Sequence, residues 1–281
     1  MRDTSATAAD LIAQVATILR SAAVEQPRRT AGRLWRDLGL PGDPLTATGT
    51  GVPERDAERL VVAAQRLAAG EPVEYVTGVA GFRRLTLNAD RRGLIPRPET
   101  EGLVEAVLAR VRSGRAADVC TGSGAIALAL ADEGDFDEVI GIDLSPDAVA
   151  LARSNSERTG LAVTWLEGDL VAPLTGVVDL LVSNPPYIAT AEYEALDAGV
   201  RDHEPAMALL SGADGLDATR RLLIAARSVV REGGWLAIEV DCRRAAQSAQ
   251  LAGASGWSGV MVQDDLFGRA RFLLARQEKL Q

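Results

Sequence analysis

The chain has 281 residues, 47% hydrophobic and 25% charged, a globular balance that excludes a disordered chain, a collagen-like repeat and a coiled coil. Acidic residues outnumber basic ones 39 to 30. The pI is near 4.8 and the excess acid lies behind residue 86, so attraction to phosphates is not the expected source of affinity and no direct nucleic-acid partner is expected. Two cysteines, Cys120 and Cys242, and one histidine, His203, are too few for a disulfide framework or an ordinary zinc site, and no metal is expected.

The start, MRDTSATAAD, has no apolar stretch behind a basic one, so it does not read as a secretory signal. No run of about 18 apolar residues suggests a membrane span. The expected compartment is the cytoplasm. From Thr7 to Ala69 the pattern is helical. Leu11, Ile12, Val15, Ile18 and Leu19 share one face, and Ala31, Leu34, Trp35 and Leu38 form a second stripe closed by Gly39 and Pro41. Asp43 to Pro53 is rich in Gly, Pro and Thr and reads as a loop. A third helix runs from Pro53 to about Ala69 and stops at Gly70. Residues 1–70 thus form a small helical bundle that carries no motif of its own.

Residues 71–98 change character. Tyr75 to Gly78 and Gly81 to Leu85 suit short strands, and Arg83-Arg84 suits a solvated turn. This stretch reads as a β-hairpin linker, ending at Pro96 and Pro98 before a helix with Leu103, Val104, Val107 and Leu108 on its apolar face. Residues 99–281 then alternate. Strands are expected at Ala117–Thr121, Glu138–Asp143, Ala162–Leu166, Val178–Ser183 and Trp235–Val240. Helices are expected from Ala125, from Ser145 to Thr159 behind an N-cap Ser, and over Asp214–Arg231. Gly259–Gln263 and Ala270–Ala275 read as a terminal hairpin. A βαβ rhythm of this kind implies a parallel sheet covered by helices on both faces.

Two strand ends carry chemistry. Asp118-Val119-Cys120-Thr121-Gly122-Ser123-Gly124-Ala125 is a small-residue turn between strand and helix, where backbone can approach a ligand and the helix start favours negative charge. Such turns are common, but Asp143 ends the next strand about 20 residues on, where a carboxylate can accept from both hydroxyls of a ribose. Together they suggest an adenosine-containing cofactor; no Walker lysine follows. Asn184-Pro185-Pro186-Tyr187 follows the fourth strand of this series. The Asn184 side-chain oxygen and the Pro185 carbonyl are acceptors able to hold both hydrogens of a planar NH₂ group, and Tyr187 can stack on it.

These motifs resemble those of the S-adenosylmethionine-dependent methyltransferases. More narrowly, the chain resembles the PrmC/HemK family, which methylates the glutamine of the Gly-Gly-Gln motif in peptide-chain release factors. The likeness runs from about Ala31 to Phe272. It is carried by Glu71-Pro72 with Tyr75 and Gly78, the stretch Ile95 to Glu101, Asn184 to Tyr187, Glu204-Pro205, Asp214-Gly215-Leu216, Gly233-Gly234-Trp235 and Gly268-Arg269.

The resemblance implies a Rossmann-like, seven-stranded class I methyltransferase domain behind a helical substrate-recognition domain. It implies S-adenosylmethionine as cofactor, S-adenosylhomocysteine as product and a release factor as protein substrate. Cys120, Thr121, Gly122, Ser123 and Gly124 would wrap the methionine end of the cofactor, Asp143 would hold its ribose, and Asp169 and Leu170 would flank its adenine. Asn184, Pro185, Pro186 and Tyr187 would hold the glutamine amide as the catalytic and substrate-binding group, with Asn184 also beside the cofactor.

The chain departs from the family at Cys120, where a Gly is usual, so the Cys side chain should point away from the cofactor or take a negative φ. Asp241 and Arg244 also stand where Gly and Gln are common. Arg97 and Glu99 either order the linker by pairing or touch substrate. His203 reads as a loop or surface residue rather than a base. Two other substrates stay open. One is a glutamine of a ribosomal protein. The other is an exocyclic amine of a nucleic-acid base, against which the acidic pI argues.

Overall fold

The computed structural model describes residues 6–43 and 51–278. The first residues of the chain, most of the loop expected at Asp43–Pro53 and the only lysine, Lys279, lie outside the described residues. Two compact units divide the chain, one formed by residues up to Val79 together with Ala198–His203, the other by the remainder.

In the first unit α1 (Ala8–Ser21) opens with a capping box: Thr7 Oγ1 accepts from the Asp10 N–H at 3.2 Å while the Asp10 carboxylate accepts from the Thr7 N–H, which satisfies two otherwise orphaned donors. α2 (Pro27–Asp37) begins with a proline, whose fixed φ suits a first helical turn, and α3 (Glu54–Ala68) follows. Leu11, Val15 and Leu19 of α1 are buried with Leu34, Trp35 and Leu60, so the apolar stripes of the sequence are the core here. The strand expected at Tyr75–Gly78 is instead a helix, α4 (Val73–Thr77). β-branched Val76 and Thr77 suggested a strand. Gly78, at φ 77°, closes the helix with its N–H on the Glu74 carbonyl, and Val76 packs into the bundle core, so local closure and packing override propensity.

From Val79, the last residue of the first unit's main segment, the chain forms the hairpin β1 (Val79–Phe82) and β2 (Leu85–Asn88), and the second unit then runs α5 (Pro98–Leu108), β3 (Ser113–Val119), α6 (Ala125–Glu133), β4 (Asp135–Asp143), α7 (Pro146–Thr159), β5 (Thr164–Glu167) and β6 (Val178–Ser183). After α8 (Ala198–Arg201), which clusters with the first unit, come α9 (Asp217–Ala225), β7 (Val230–Glu239), α10 (Ala245–Ala254), β8 (Ser258–Asp264) and β9 (Ala270–Arg276). The main sheet has seven strands in the order β5-β4-β3-β6-β7-β9-β8, parallel except that β9 runs antiparallel to both its neighbours. Period-2 alternation splits its side chains between two cores. Leu180, Val182 and Ala237 face α5, α6 and α7, whereas Leu181, Leu236 and Ile238 face α9 and α10.

Three further features differ from expectation. The helix expected over Asp214–Arg231 ends at Ala225, because Val230 already pairs with Val178 in the sheet. α10 was not expected at all. Its sequence, AAQSAQLAGA, offers few large apolar residues to mark a face. Arg83 is not in a solvated turn. At φ 51° its N–H donates to Glu101 at 2.9 Å, and its guanidinium pairs with Glu133 and, at 3.1 Å, with Glu105; only Arg84 stays exposed. Phe82 and Leu87 are buried against Leu103 and Leu128, which fixes the hairpin to this domain. No helix of the described residues is long and apolar enough to cross a membrane.

Candidate active site

Strand order reverses at β3, which has β4 on one side and β6 on the other. Loops leaving neighbouring strands there diverge and open a crevice at the carboxyl ends. Register brings the predicted residues level: Val119 sits opposite Ile142 on one side and Ser183 on the other. Cys120, Asp143 and Asn184 therefore leave the sheet at the same height. A cavity of about 340 Å³ lies above them, lined by Cys120, Thr121, Gly122, Ser123, Asp143 and Asn184. Asp169, Leu170 and Pro186 also line it. Gly124, Pro185 and Tyr187 are outside this lining. A side chain on Gly124 would meet Trp165 at 2.6 Å, so its bare Cα serves the packing of that ring behind the loop.

The loop is held from below. The Thr121 N–H donates to the Ile142 carbonyl at 3.0 Å, the Thr121 hydroxyl donates to Asp118 Oδ2 at 2.6 Å, and the Ala127 N–H donates to the same oxygen at 3.1 Å. Asp118 is fully buried, and its Oδ1 has no partner. Burial pushes its carboxyl up to about 7 against those two hydrogen bonds, with Asp143 adding to the rise. Asp143 accepts from the Gly122 N–H at 2.8 Å and the Ser145 N–H at 2.9 Å, one bond to each oxygen. Each oxygen keeps a second lone pair. Burial raises the Asp143 carboxyl above its ordinary value, and backbone donors at Ser145, Gly122 and Leu144 oppose the rise.

Cys120 takes φ 59°, so of the two alternatives, a side chain pointing away from the cofactor or a negative φ, the second is not the one adopted. The left-handed region costs an L-residue roughly 1–2 kcal/mol, held here by the bonds on either side of it. Burial, and then Asp143, push its thiol up to about 12. It is a neutral, packed group at neutral pH, not a reactive thiolate.

The wall opposite the loop is less visible in sequence. Glu204, its side chain 1% exposed, accepts from Arg97 Nη2 at 2.5 Å and from the Ile95 N–H at 3.3 Å. Arg97 thus pairs with Glu204 rather than Glu99, and this pair joins the segments around Ile95 and Pro205 that line the cavity. Asp169 lines it too, paired with Arg221. His203 is half-buried and belongs to the first unit. Asp241 and Arg244 form an ion pair at the end of β7. Arg244 also donates to Glu192 Oε1 at 2.8 Å and to the Asp214 carbonyl at 2.6 Å, fastening the segment after Tyr187 to the sheet.

Asn184 Nδ2 donates to Thr100 Oγ1 at 3.2 Å, and Thr100 Oγ1 donates to Glu239 Oε2 at 2.7 Å. Thr100 and Glu239 received no role from the sequence. Nothing local marks a contact between residues 84 or 139 positions apart. Burial pushes the Tyr187 hydroxyl up to about 12, with Glu239 contributing, so it stays protonated.

The lining suits an adenosyl cofactor. Its volume falls in the range of small-molecule sites, about 300–1,000 Å³. A carboxylate with free lone pairs stands at a strand end. Gly122, at φ 54°, has nothing within 4 Å of where a Cβ would be, so a ligand can approach its backbone. Among the described residues, no group of three or more His, Cys, Asp and Glu side chains is placed to hold a metal.

Fold and site together define a methyltransferase of the doubly wound class, and the methyltransferase small domain family matches residues 98–202. The chain is 40% identical over 273 residues to the release factor glutamine methyltransferase of Deinococcus radiodurans, covering 95% of this chain and 98% of that protein. It is 45% identical over 231 residues to the enzyme of that name from Moorella thermoacetica, covering 79% and 81%. The chain belongs to the release factor glutamine methyltransferase family. A solved structure of the T. thermophilus 16S rRNA N2 G1207 methyltransferase, in complex with AdoMet and guanosine, is 20% identical with a TM-score of 0.53. It covers 71% of this chain and 50% of that one, a likeness of fold alone.

Proposed function

We propose that the protein transfers the methyl group of S-adenosylmethionine to the side-chain amide nitrogen of the glutamine in the Gly-Gly-Gln motif of peptide-chain release factors, with S-adenosylhomocysteine as the second product. The observation that carries this reading is that Asn184 shares one cavity with Asp143 and the Cys120–Ser123 turn. An acceptor for a planar NH₂ group and an acceptor for ribose hydroxyls then stand on one wall.

When bound, the cofactor supplies an electrophilic methyl on a cationic sulfonium. Asp143 would accept from the ribose hydroxyls, the Thr121–Ser123 backbone would hold the methionine end, and Leu170 with Asp169 would border the adenine. Asn184 Oδ1 and the Pro185 carbonyl accept the two amide hydrogens, which aims the nitrogen lone pair at the methyl carbon. Tyr187, which stands beyond the lining of the cofactor cavity, would stack on the amide plane from the substrate side. An amide nitrogen is a weak nucleophile, so the gain comes from placement and from acceptors that strengthen as positive charge grows on nitrogen. The nitrogen would gain the methyl as the sulfonium's bond to it breaks, leaving S-adenosylhomocysteine, and the surplus proton on nitrogen would leave afterwards past Asn184 Oδ1 to water. The helical first unit has the role of gripping the release factor away from the reacting amide, so that remote binding presents the side chain.

The test is transfer of a labelled methyl group to a purified release factor, run beside the factor with its motif glutamine changed to alanine, a ribosomal protein and DNA. Label on the intact factor alone supports the reading. Label that survives loss of the glutamine, or that prefers the ribosomal protein or DNA, overturns it.

A further inference from the structure

We infer that Thr100 and Glu239 are positioning residues that hold the Asn184 side-chain amide with its NH₂ turned inward and its oxygen turned to the substrate. The inference rests on the glutamine-amide reading above and deepens it. An asparagine amide has a donor end and an acceptor end of nearly the same shape. Only the acceptor end can hold an incoming NH₂ group. Asn184 itself has no means of choosing.

The choice is made behind it. An ionised carboxylate accepts and cannot donate, so Glu239 takes the hydrogen of the Thr100 hydroxyl, at 2.7 Å. The Thr100 oxygen is left to accept, and Asn184 meets it with Nδ2 at 3.2 Å. Oδ1 is then the end that faces out. The chain of bonds has one direction, set by the charge at its inner end. Both inner members are buried, Thr100 4% and Glu239 1% exposed, so water does not compete for the bonds. α5 also comes close enough for Thr100 to reach the end of β7. Gly102, two residues on, has its Cα where a Cβ would touch the Phe272 ring at 2.9 Å.

The direction is reversible by protonation. Several groups face Glu239. Arg97 and Glu99 lie at the start of α5, Tyr187 follows β6, and Arg271 stands on β9, itself bonded to Asp265 at 2.8 Å. Burial outweighs the pull of Arg271 and Arg97 and brings the Glu239 carboxyl up to about 7. Protonation gives Glu239 a hydrogen to donate to Thr100 beside its remaining carbonyl acceptor; in the molecules where it donates, Thr100 donates outward and Asn184 answers with its oxygen, leaving NH₂ against the substrate NH₂. Turnover should therefore fall as pH drops through about 7.

The experiment uses the full-length protein and three variants, Thr100→Val, Thr100→Ser and Glu239→Gln. Without cofactor, side-chain amide NMR of Asn184 should show one hydrogen-bonded Nδ2 proton in the parent and in Thr100→Ser, and lose it in Thr100→Val. With cofactor and release factor, Thr100→Val should lower kcat about ten-fold, the worth of one ordinary hydrogen bond, while cofactor affinity, measured beside it because Thr100 also lines the cavity, changes far less. Thr100→Ser should restore kcat to within about two-fold, since it keeps the hydroxyl. Glu239→Gln, which still offers an oxygen to Thr100, should flatten the acid limb near neutrality. Three results overturn the inference: an Asn184 resonance indifferent to Thr100→Val, equal losses in Thr100→Val and Thr100→Ser, or an acid limb unchanged in Glu239→Gln. A parent that leaves the release factor unlabelled removes the substrate reading instead, and the resonance then decides the placement of the amide by itself.

Discussion

Replacing Asp143 with alanine separates a ligand-binding carboxylate from a merely structural one. In the folded protein its two oxygens hold the Gly122 and Ser145 N–H groups at 2.8 and 2.9 Å, leaving one lone pair on each for a ribose hydroxyl. Hydrogen bonds to a charged group are worth about 1.5–3 kcal/mol each, and part of that is recovered by water in the variant. Asp143→Ala should weaken S-adenosylmethionine binding by about 1–3 kcal/mol, roughly 5- to 150-fold. Loss of the Gly122 and Ser145 bonds should cost the fold about 1 kcal/mol as well, so urea unfolding must be measured beside calorimetric binding.

Proton linkage supplies a second signature. Burial raises the Asp143 carboxyl, so its contribution to stability is full below the unfolded value and is lost as pH rises through the folded one. Ribose hydroxyls favour the ionised form and pull the value down. Cofactor binding should therefore release protons on the acid side, and affinity should climb with pH until Asp143 is fully ionised. Calorimetry in two buffers of different ionisation enthalpy reads that release. Parent-like affinity in the variant, or binding in acid with no proton release, would refute the ribose assignment.

Asn184→Ala should lower turnover on the release factor by roughly 10²–10³, by analogy with removal of one oxyanion-hole donor, while calorimetric cofactor affinity changes far less; equal losses in both would place Asn184 in the cofactor pocket only. A chain starting at Ala80, the first residue of the second unit, should still bind S-adenosylmethionine but lose most activity on an intact release factor and little on a free peptide. Full activity on the intact factor would reduce the first unit to a stabilising element. Asp118, raised to about 7 by burial, stabilises the fold below its unfolded value near 4 and loses that contribution as pH climbs to about 7. Urea midpoints of Asp118→Asn should depend less on pH across that window than those of the parent, and parallel curves would show that Asp118 titrates as it does in the unfolded chain.

What could be read from the chain was local. Asp143 stands at the end of an apolar run and just before an N-cap serine whose side chain accepts from the Ala148 N–H. Asn184 ends a run of Leu and Val that pairs on both edges. Each motif carries its own period or cap, and topology brings the two strand ends level. Thr100 and Glu239 carry no such mark. The bonds of Thr100 to Asn184 and to Glu239 arise from register and helix docking, which no window of sequence contains. Arg83 does lie in a turn, but looked like a solvated one because its partners, Glu105 and Glu133, lie on two different helices. α10 was missed for the opposite reason. Its alanines pack well against the sheet but hardly differ in apolarity from one face to the other.

The central claim is that the acceptor atom is a glutamine side-chain nitrogen held by Asn184. Fragmentation mass spectrometry of a release factor treated with the parent protein and S-adenosylmethionine tests it most directly, with Asn184→Ala run in parallel. The account predicts one added methyl, on the side-chain nitrogen of the motif glutamine, strongly reduced in the variant. A methyl on any other residue, or one installed equally well without the Asn184 amide, would contradict it.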